Sequence, residues 1–535
     1  MKKKLMPLAV GAALAAAASA QAQMQINNGG TGEMLVFPFY SAEAGNTTNI
    51  NITNTTGAKA VKVRIIEGEN SQEVLDFNVY MSEEDHFSFA ITATEDGGGA
   101  LITNDNTCTV PQIAAGTPIP FRNFKYLGDK AKDDPDTEDK DESFDNTGIA
   151  RTAVGYVEVI EMGQIADVEI DLTPSVTDDD DASMLDAITH GADGVPANCA
   201  LPVAAWSGPS GPWYTQAAAA NVGTSFMEDT WSGGGLYGEA VVINVNDAQA
   251  IGYDAVAIES AIDGTGSQLH FAPGNTEPDF TSDGVVGSAT VMVDGAQQLM
   301  TFTDIDDQSL QAVSALFQTS RIMNDYVTDP GISGTTDWVV TMPTKSLHIA
   351  RYTAADATAT PPVSAVGSLA PFSAAWTGQT ACEYASLSSW DREESNPPPQ
   401  GGEVPDFSPV PPGDIVDPED LPLCYEVNII RFAEEAASGN DSLTVGVDDL
   451  LPGNDGWAAI DLTYGALTDP DAQDLVGTHE RLLTATEGAL EGLPVTGFAV
   501  QTYANNSVNA SGNVANYAAA FVHKTETSAS GFGGE

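Results

Sequence analysis

Between Arg151 and Arg321 the sequence contains no lysine or arginine, although Asp and Glu recur throughout that stretch. The full chain of 535 residues holds 19 basic against 76 acidic side chains, a formal charge of −57. Such a scarcity of cations excludes nucleic acid as a partner, because that binding needs clustered Lys and Arg. It also excludes simple adhesion to anionic lipid. Within the cation-free stretch local salt bridges cannot form, so solvent cations are expected to balance its carboxylates.

Other absences narrow the function further. No GxSxG elbow and no HExxH occurs, and His86, His190, His270, His348, His479 and His523 never fall at metal-ligand spacing. Without a CxxC pair, redox catalysis is not expected, and SGGGLYGEA lacks the lysine of a phosphate cradle. Catalytic carboxylates cannot be singled out among 76 acids. The chain reads as no enzyme. Residues 1–22 provide its most apolar run, which is too short to span a bilayer. With a Lys2-Lys3-Lys4 start and an Ala-Gln-Ala end they read as a secretory signal peptide cleaved after Ala22, with Ala20 as the alternative. The mature chain would then carry 16 basic residues and a formal charge near −60.

Export gives the four cysteines a meaning. An even count in an oxidising compartment suggests two disulfides. Of three connectivities, Cys108 with Cys199 and Cys382 with Cys424 is favoured, since it joins nearest neighbours in sequence.

Hydrophobic residues make up 42% of the chain, enough to argue against disorder in spite of the charge. They fall in short runs: MLVFPFYS, TTNINITNTT, AVKVRII, EVLDFNVYM and HFSFAIT, then GYVEVIEM, DVEIDL, EAVVINVN, SATVMVDG, DWVVTM, YEVNIIRF, GFAVQTY and AAFVHK. In AVKVRII, Val61, Val63 and Ile65 share one face and Lys62 and Arg64 the other, the pattern of a half-buried strand. Leu75, Phe77, Val79 and Met81 likewise oppose Asp76, Asn78 and Tyr80. Helical spacing is best in SLQAVSALFQTSRIM, where Leu310, Val313 and Phe317 align, and weaker in HERLLTATEGAL. A short helical turn is read at AITHGAD. The expected class is therefore mainly β: antiparallel sandwich-like domains with a few short helices and long acidic or Pro-rich loops. The divisions read from composition are a β-sandwich-like domain over 23–235 with an acidic loop at 129–146, and a second β-rich domain over 236–394. A Pro-rich loop at 395–422 and a C-terminal β-rich segment over 423–535, packed on the second domain, follow. No fixed-period repeat is present, and strands of this length do not suggest a membrane barrel.

Hard cations bind where carboxylate oxygens converge, which makes calcium the candidate cofactor. The candidate ligands are Asp133, Asp134, Asp136, Glu138, Asp139, Asp141 and Glu142, then Asp178, Asp179, Asp180 and Asp181, then Asp304, Asp306 and Asp307. None forms an EF-hand loop, and the competing reading is a solvated acidic surface screened by salt. Asn46, Asn51 and Asn54 each begin an N-x-Thr triplet, read as Thr-rich strand rather than as glycan acceptors. Trp206, Trp213, Trp231, Trp338, Trp390 and Trp457 are too dispersed to read as a carbohydrate groove, and Trp338 is expected to anchor a core.

At TDWVVTMPTK (336–345), with LVFPFYS, EVLDFNVYMSEEDHF, GYVEVIEMG and WDREES, the chain resembles a group of uncharacterised secreted proteins of Gram-negative bacteria. The resemblance runs from the first strand to ANYAAAFVHK near the end. It implies export and one integrated β-rich architecture, and carries no activity. The group commonly has an aromatic residue where Met342 stands here, a departure that touches packing. By composition the chain is also similar to bacterial surface-layer proteins, which implies self-association, or attachment to lipopolysaccharide, through divalent cations. The expectation is thus an exported acidic protein of the cell surface or extracellular matrix, assembled or retained by calcium. A periplasmic location is the alternative place. An adhesin or ligand-binding surface protein is the alternative function, and a secreted hydrolase a third, which would need a pocket where a histidine meets Asp and Ser or Thr.

Overall fold

The computed structural model describes residues 23–126, 147–167, 169–170, 182–208, 211–214, 226–229, 233–263, 269–302, 308–349, 370–374, 380–394, 420–433, 437–438, 442–467, 476–504 and 516–532. They are mainly β, arranged as two sandwiches whose apolar interiors join in one cluster. The first pairs a seven-stranded sheet with a six-stranded one. Strand order in the seven-stranded sheet is Gln25–Ile26, Val256–Glu259, Met34–Ser41, Val154–Gln164, Lys59–Glu67, Glu73–Met81, Cys108–Val110. The six-stranded sheet runs Gln249–Asp254, Leu236–Asn244, Asn46–Asn54, His86–Ala93, Gly99–Ile102, Ile119–Pro120. The period of two decides which side chains meet between them. Ile50 and Ile52 point inward while Asn49, Asn51 and Thr53 are only partly covered, and Phe77 crosses the gap to meet Phe87 and Phe89 edge-on at 6.0 and 6.2 Å.

The second sandwich holds two five-stranded sheets. One contains Asp420–Leu423, Glu383–Asp391, Asp455–Asp461, Arg321–Val327 and Lys524–Glu526; the other Thr444–Gly446, Val427–Arg431, Gly334–Thr341, Thr496–Tyr503 and Tyr517–Val522. Pairing is antiparallel apart from Val427–Arg431 with Thr444–Gly446. Trp338 is fully buried here, as its alternation implied, against Phe432 and His523. Phe498 joins the two sandwiches by stacking on Tyr253 at 4.6 Å and meeting Phe39 at 6.4 Å.

A third layer changes the reading of the seven-stranded sheet. The hairpin Ser288–Val293 and Ala296–Thr301, the helices Met184–Ile188, Ala200–Trp206 and Gln308–Phe317, and residues around 269–285 pack on the face turned away from the six-stranded sheet. That face presents Met34, Val36, Tyr80, Ile160 and Met162 to a second apolar cluster. Strand Lys59–Glu67 is consequently buried along its whole length, so Lys62 and Arg64 are interior and not on a solvent face. Asn78 and Tyr80 follow them inside.

Three further expectations are corrected. Residue 235 is not an edge of the first sandwich, because Leu236–Asn244 pairs with Asn46–Asn54 and Val256–Glu259 with Met34–Ser41. The segment after 423 does not merely pack on the second domain; its strands interleave with those from 321–391 in both five-stranded sheets. HERLLTATEGAL forms strands Leu482–Thr484 and Ala489–Glu491, paired across a tight turn. The helix read at SLQAVSALFQTSRIM spans Gln308–Phe317 and then gives way to strand. Residues 1–22, the acidic run 129–146 and most of the Pro-rich loop lie outside the described residues.

Candidate functional site

Asp133, Asp134, Asp136, Glu138, Asp139, Asp141, Glu142, Asp178, Asp179, Asp180, Asp181, Asp304, Asp306 and Asp307 all lie outside the described residues. Among the described residues, no three His, Cys, Asp or Glu side chains gather in a way that could hold a metal ion. The cysteines pair as expected, Cys108 with Cys199 and Cys382 with Cys424. The first bridge fastens the edge strand Cys108–Val110 to the helix Ala200–Trp206 of the third layer.

The structure shows a charge arrangement that sequence patterning did not: half of the basic residues described are inside. Lys59, Lys62, Arg64, Arg151, Lys345 and Arg481 are all at most 8% exposed, six of the 16 basic residues that follow residue 22. Eight carboxylates are buried among the described residues, Glu33, Glu67, Asp85, Glu158, Glu161, Asp337, Glu383 and Glu426, so the interior is close to neutral. Strand register creates several of the pairs. Arg64 lies directly across from Glu158 on one neighbour and from Asp76 on the other, and its Nη1 and Nε bond Glu158 and Glu73 at 2.5 and 3.0 Å. Lys62 reaches Asp76 at 2.5 Å and donates to the Asn275 carbonyl at 2.8 Å. Lys59 meets Glu161 at 3.2 Å, while the second oxygen of Glu161 accepts the Gly234 N–H at 2.8 Å. Arg151 donates to both oxygens of Glu67 at 2.7 and 2.9 Å and lies 4.4 Å from the centre of the Tyr126 ring. In the second sandwich Arg481 meets Glu383 at 3.1 Å, and Lys345 donates to the carbonyls of Leu423 and Tyr425.

Desolvation marks these sites. Burial pushes the carboxyls of Glu158 and Glu161 up to about 7, against the opposing pull of Arg64 and Lys59. Burial draws the Lys345 ammonium down to about 8, with Glu426 and Glu383 opposing. Two acids inside the cation-free stretch, Glu158 and Glu161, are thus neutralised by cations from a distant strand, where solvent ions alone had been expected.

One of these networks opens into a cleft of ≈ 560 Å³ between the sandwiches. Arg64, Glu73 and Glu158 form part of its lining, beside the Tyr156 hydroxyl, which bonds Ser71 at 2.7 Å. Asp279 comes from the covering layer, Lys125 from a segment next to the first sandwich, and Pro343, Leu347 and Ile349 from the chain leaving strand Gly334–Thr341. A second, more open depression lies near the first disulfide. There the buried Asp85, its carboxyl raised by burial with His190 opposing, stands 3.7 Å from His190 Nδ1.

A hydrolase would need a histidine meeting Ser or Thr and a carboxylate. Ser314 Oγ does meet His348 Nε2 at 2.7 Å, with Thr344 at 3.0 Å from Ser314. Both residues are buried, and burial lowers the imidazole to about 4, with only the Ala370 backbone opposing. Among the described residues no carboxylate acts on the ring, and burial keeps the imidazole neutral at ordinary pH. No helix among the described residues is long and apolar enough to cross a membrane. Comparison with known proteins finds no matching family model, no matching curated protein and no matching solved structure, so the reading of this chain rests on its own residues.

Proposed function

We propose that this is an exported acidic protein of the cell surface or surrounding matrix, whose assembly or retention is controlled by divalent cations, calcium foremost. The observation that carries the reading is the segregation of charge: among the described residues six of the 12 basic side chains are buried, most of them paired with acids, which leaves few cations to offset the surface carboxylates. Among the described residues Arg122, Lys125, Arg392 and Lys524 are the basic side chains left in the exposed class. An exterior of that kind makes copies repel one another at close approach, within the roughly 8 Å over which charge is felt at physiological salt. Divalent ions bridging carboxylates of neighbouring molecules, or of the phosphates of lipopolysaccharide, would turn that repulsion into attachment.

Light scattering by the purified mature chain tests this. Calcium raised to about 1 mM, the range of weak extracellular sites, should increase particle size, a chelator should reverse it, and sodium at equal ionic strength should not substitute. Unchanged size throughout, together with unchanged retention on chelator-washed cells, would contradict the proposal.

A further inference from the structure

The cleft between the sandwiches plays no part in the exterior charge argument, and its chemistry is of another kind. Four segments remote in sequence wall it: the Arg64 face of the seven-stranded sheet, the segment carrying Lys125, the turn carrying Thr276 and Asp279, and the stretch from Pro343 to Ile349. Its floor is a fixed row of polar atoms. Arg64 engages Oε2 of Glu73 through Nε and Oε2 of Glu158 through Nη1. No hydrogen bond from the described residues reaches Oε1 of either carboxylate, and Nη2 of Arg64 donates to none of them. The row offers acceptor, donor, acceptor, at a spacing set by one planar guanidinium.

We propose that this cleft binds a neutral saccharide, with adjacent ring hydroxyls seated on the Glu73–Arg64–Glu158 row. Each hydroxyl donates and accepts at once, so neighbouring hydroxyls can give their protons to the flanking carboxylates while accepting from the guanidinium between them. Charge argues against the other small ligands. An anion would meet Glu73, Glu158 and Asp279, and a simple cation would meet Arg64 and Lys125. A polyol is opposed by neither. The carbon-bound face of a sugar ring would lie against Ile66, Leu347 and Ile349 on the apolar wall, and the volume falls within the range of about 300–1,000 Å³ usual for small-molecule sites. Arg64 and Glu158 are 8% and 2% exposed, so the row is held in place before any ligand arrives.

The test uses the mature full chain in chelator, which separates this site from any calcium effect. Saturation-transfer NMR and calorimetry are run against glucose, galactose, mannose, maltose, cellobiose and lactose in one arm and against neutral polysaccharides in the other. Saturable binding in either arm is expected, the arm identifying free sugar or glycan chain as the source. At pH 8, where the Glu158 carboxyl is ionised, Glu158→Gln should weaken it about tenfold by removing one charged acceptor. Leu347→Trp, at a half-buried position on the apolar wall, should abolish it by filling the cleft while the chain keeps its cooperative melting transition, and it decides the matter should Glu158→Gln fold poorly. Absence of binding at millimolar sugar in both arms, or binding that survives the Leu347→Trp substitution, overturns the proposal.

Discussion

Strand Lys59–Glu67 of the first sandwich and strand Glu383–Asp391 of the second are both nine residues long, yet the first is buried at every position and the second at alternate positions over most of its length. Both sequences alternate apolar with polar residues. The difference lies in what covers the second face: a layer of helices and a hairpin over the first strand, and only partial cover from the described residues over the other. Where both faces are covered, the polar half of the alternation is carried inside, and each cation must find a carboxylate on an adjoining strand. Where one face is open, as along Ser386, Ser388 and Trp390, the polar half stays at the surface, with Trp390 stacked on Trp457 at 4.2 Å.

The contrast between interior and surface pairs can be broken most forcefully at Arg151. Arg151→Met leaves Glu67 buried without its cation, and urea unfolding should show a loss of about 3–5 kcal/mol. A loss under about 1 kcal/mol would mean that water reaches Glu67 and that the internal pairs are not sealed.

The pH dependence sharpens the comparison between the two halves, because burial acts on acids in one and on histidines in the other. In the first sandwich Glu158 and Glu161 have carboxyls raised to about 7, so their contribution to stability is complete below the ordinary value near 4.5 and is lost as pH rises through 7. In the second half burial lowers His348 and His523 to about 4, so their contribution is complete above roughly 6.5 and is lost as pH falls through 4. Between about pH 6.5 and 8 the folded-state titration of the glutamates is under way while that of the histidines is complete. Melting temperature should therefore fall relative to that of the double substitution Glu158→Gln, Glu161→Gln across that interval, by an amount equivalent to roughly 1.5 kcal/mol. A melting temperature that rises relative to the double substitution over the same interval would reverse the assignment.

The smallest effect belongs to the surface. Arg392 pairs with Asp455 but is largely exposed, and Arg392→Ala should change the unfolding free energy by less than about 1 kcal/mol, and less still at high salt. A larger cost would erase the distinction drawn from Arg151.

Much of the fold was legible because its signals are local. Alternation placed most of the strands, an even cysteine count read together with expected export suggested the two bridges, and DWVVTM placed Trp338 in a core. What could not be read depends on remote segments. Nothing in AVKVRII announces that residues 269–302 and 308–317 will form a layer over Lys62 and Arg64, and the period of two is the same whether the second face is wet or dry. The return of Leu236–Asn244 to the first sandwich was hidden for the same reason, since pairing partners nearly 200 residues apart leave no local mark. The cleft joins Glu73, Glu158, Asp279 and Leu347 from four separate stretches, none of which carries a motif.

Amine acylation of the native mature chain near pH 8, followed by peptide mass analysis, tests the segregation of charge most directly. Lys125 and Lys524 are exposed and should react at the rate of a free lysine, whereas Lys59, Lys62 and Lys345 should stay unmodified until the chain is unfolded. Equal reactivity at all five positions in the folded protein would show that the cations are not enclosed, and would contradict the account.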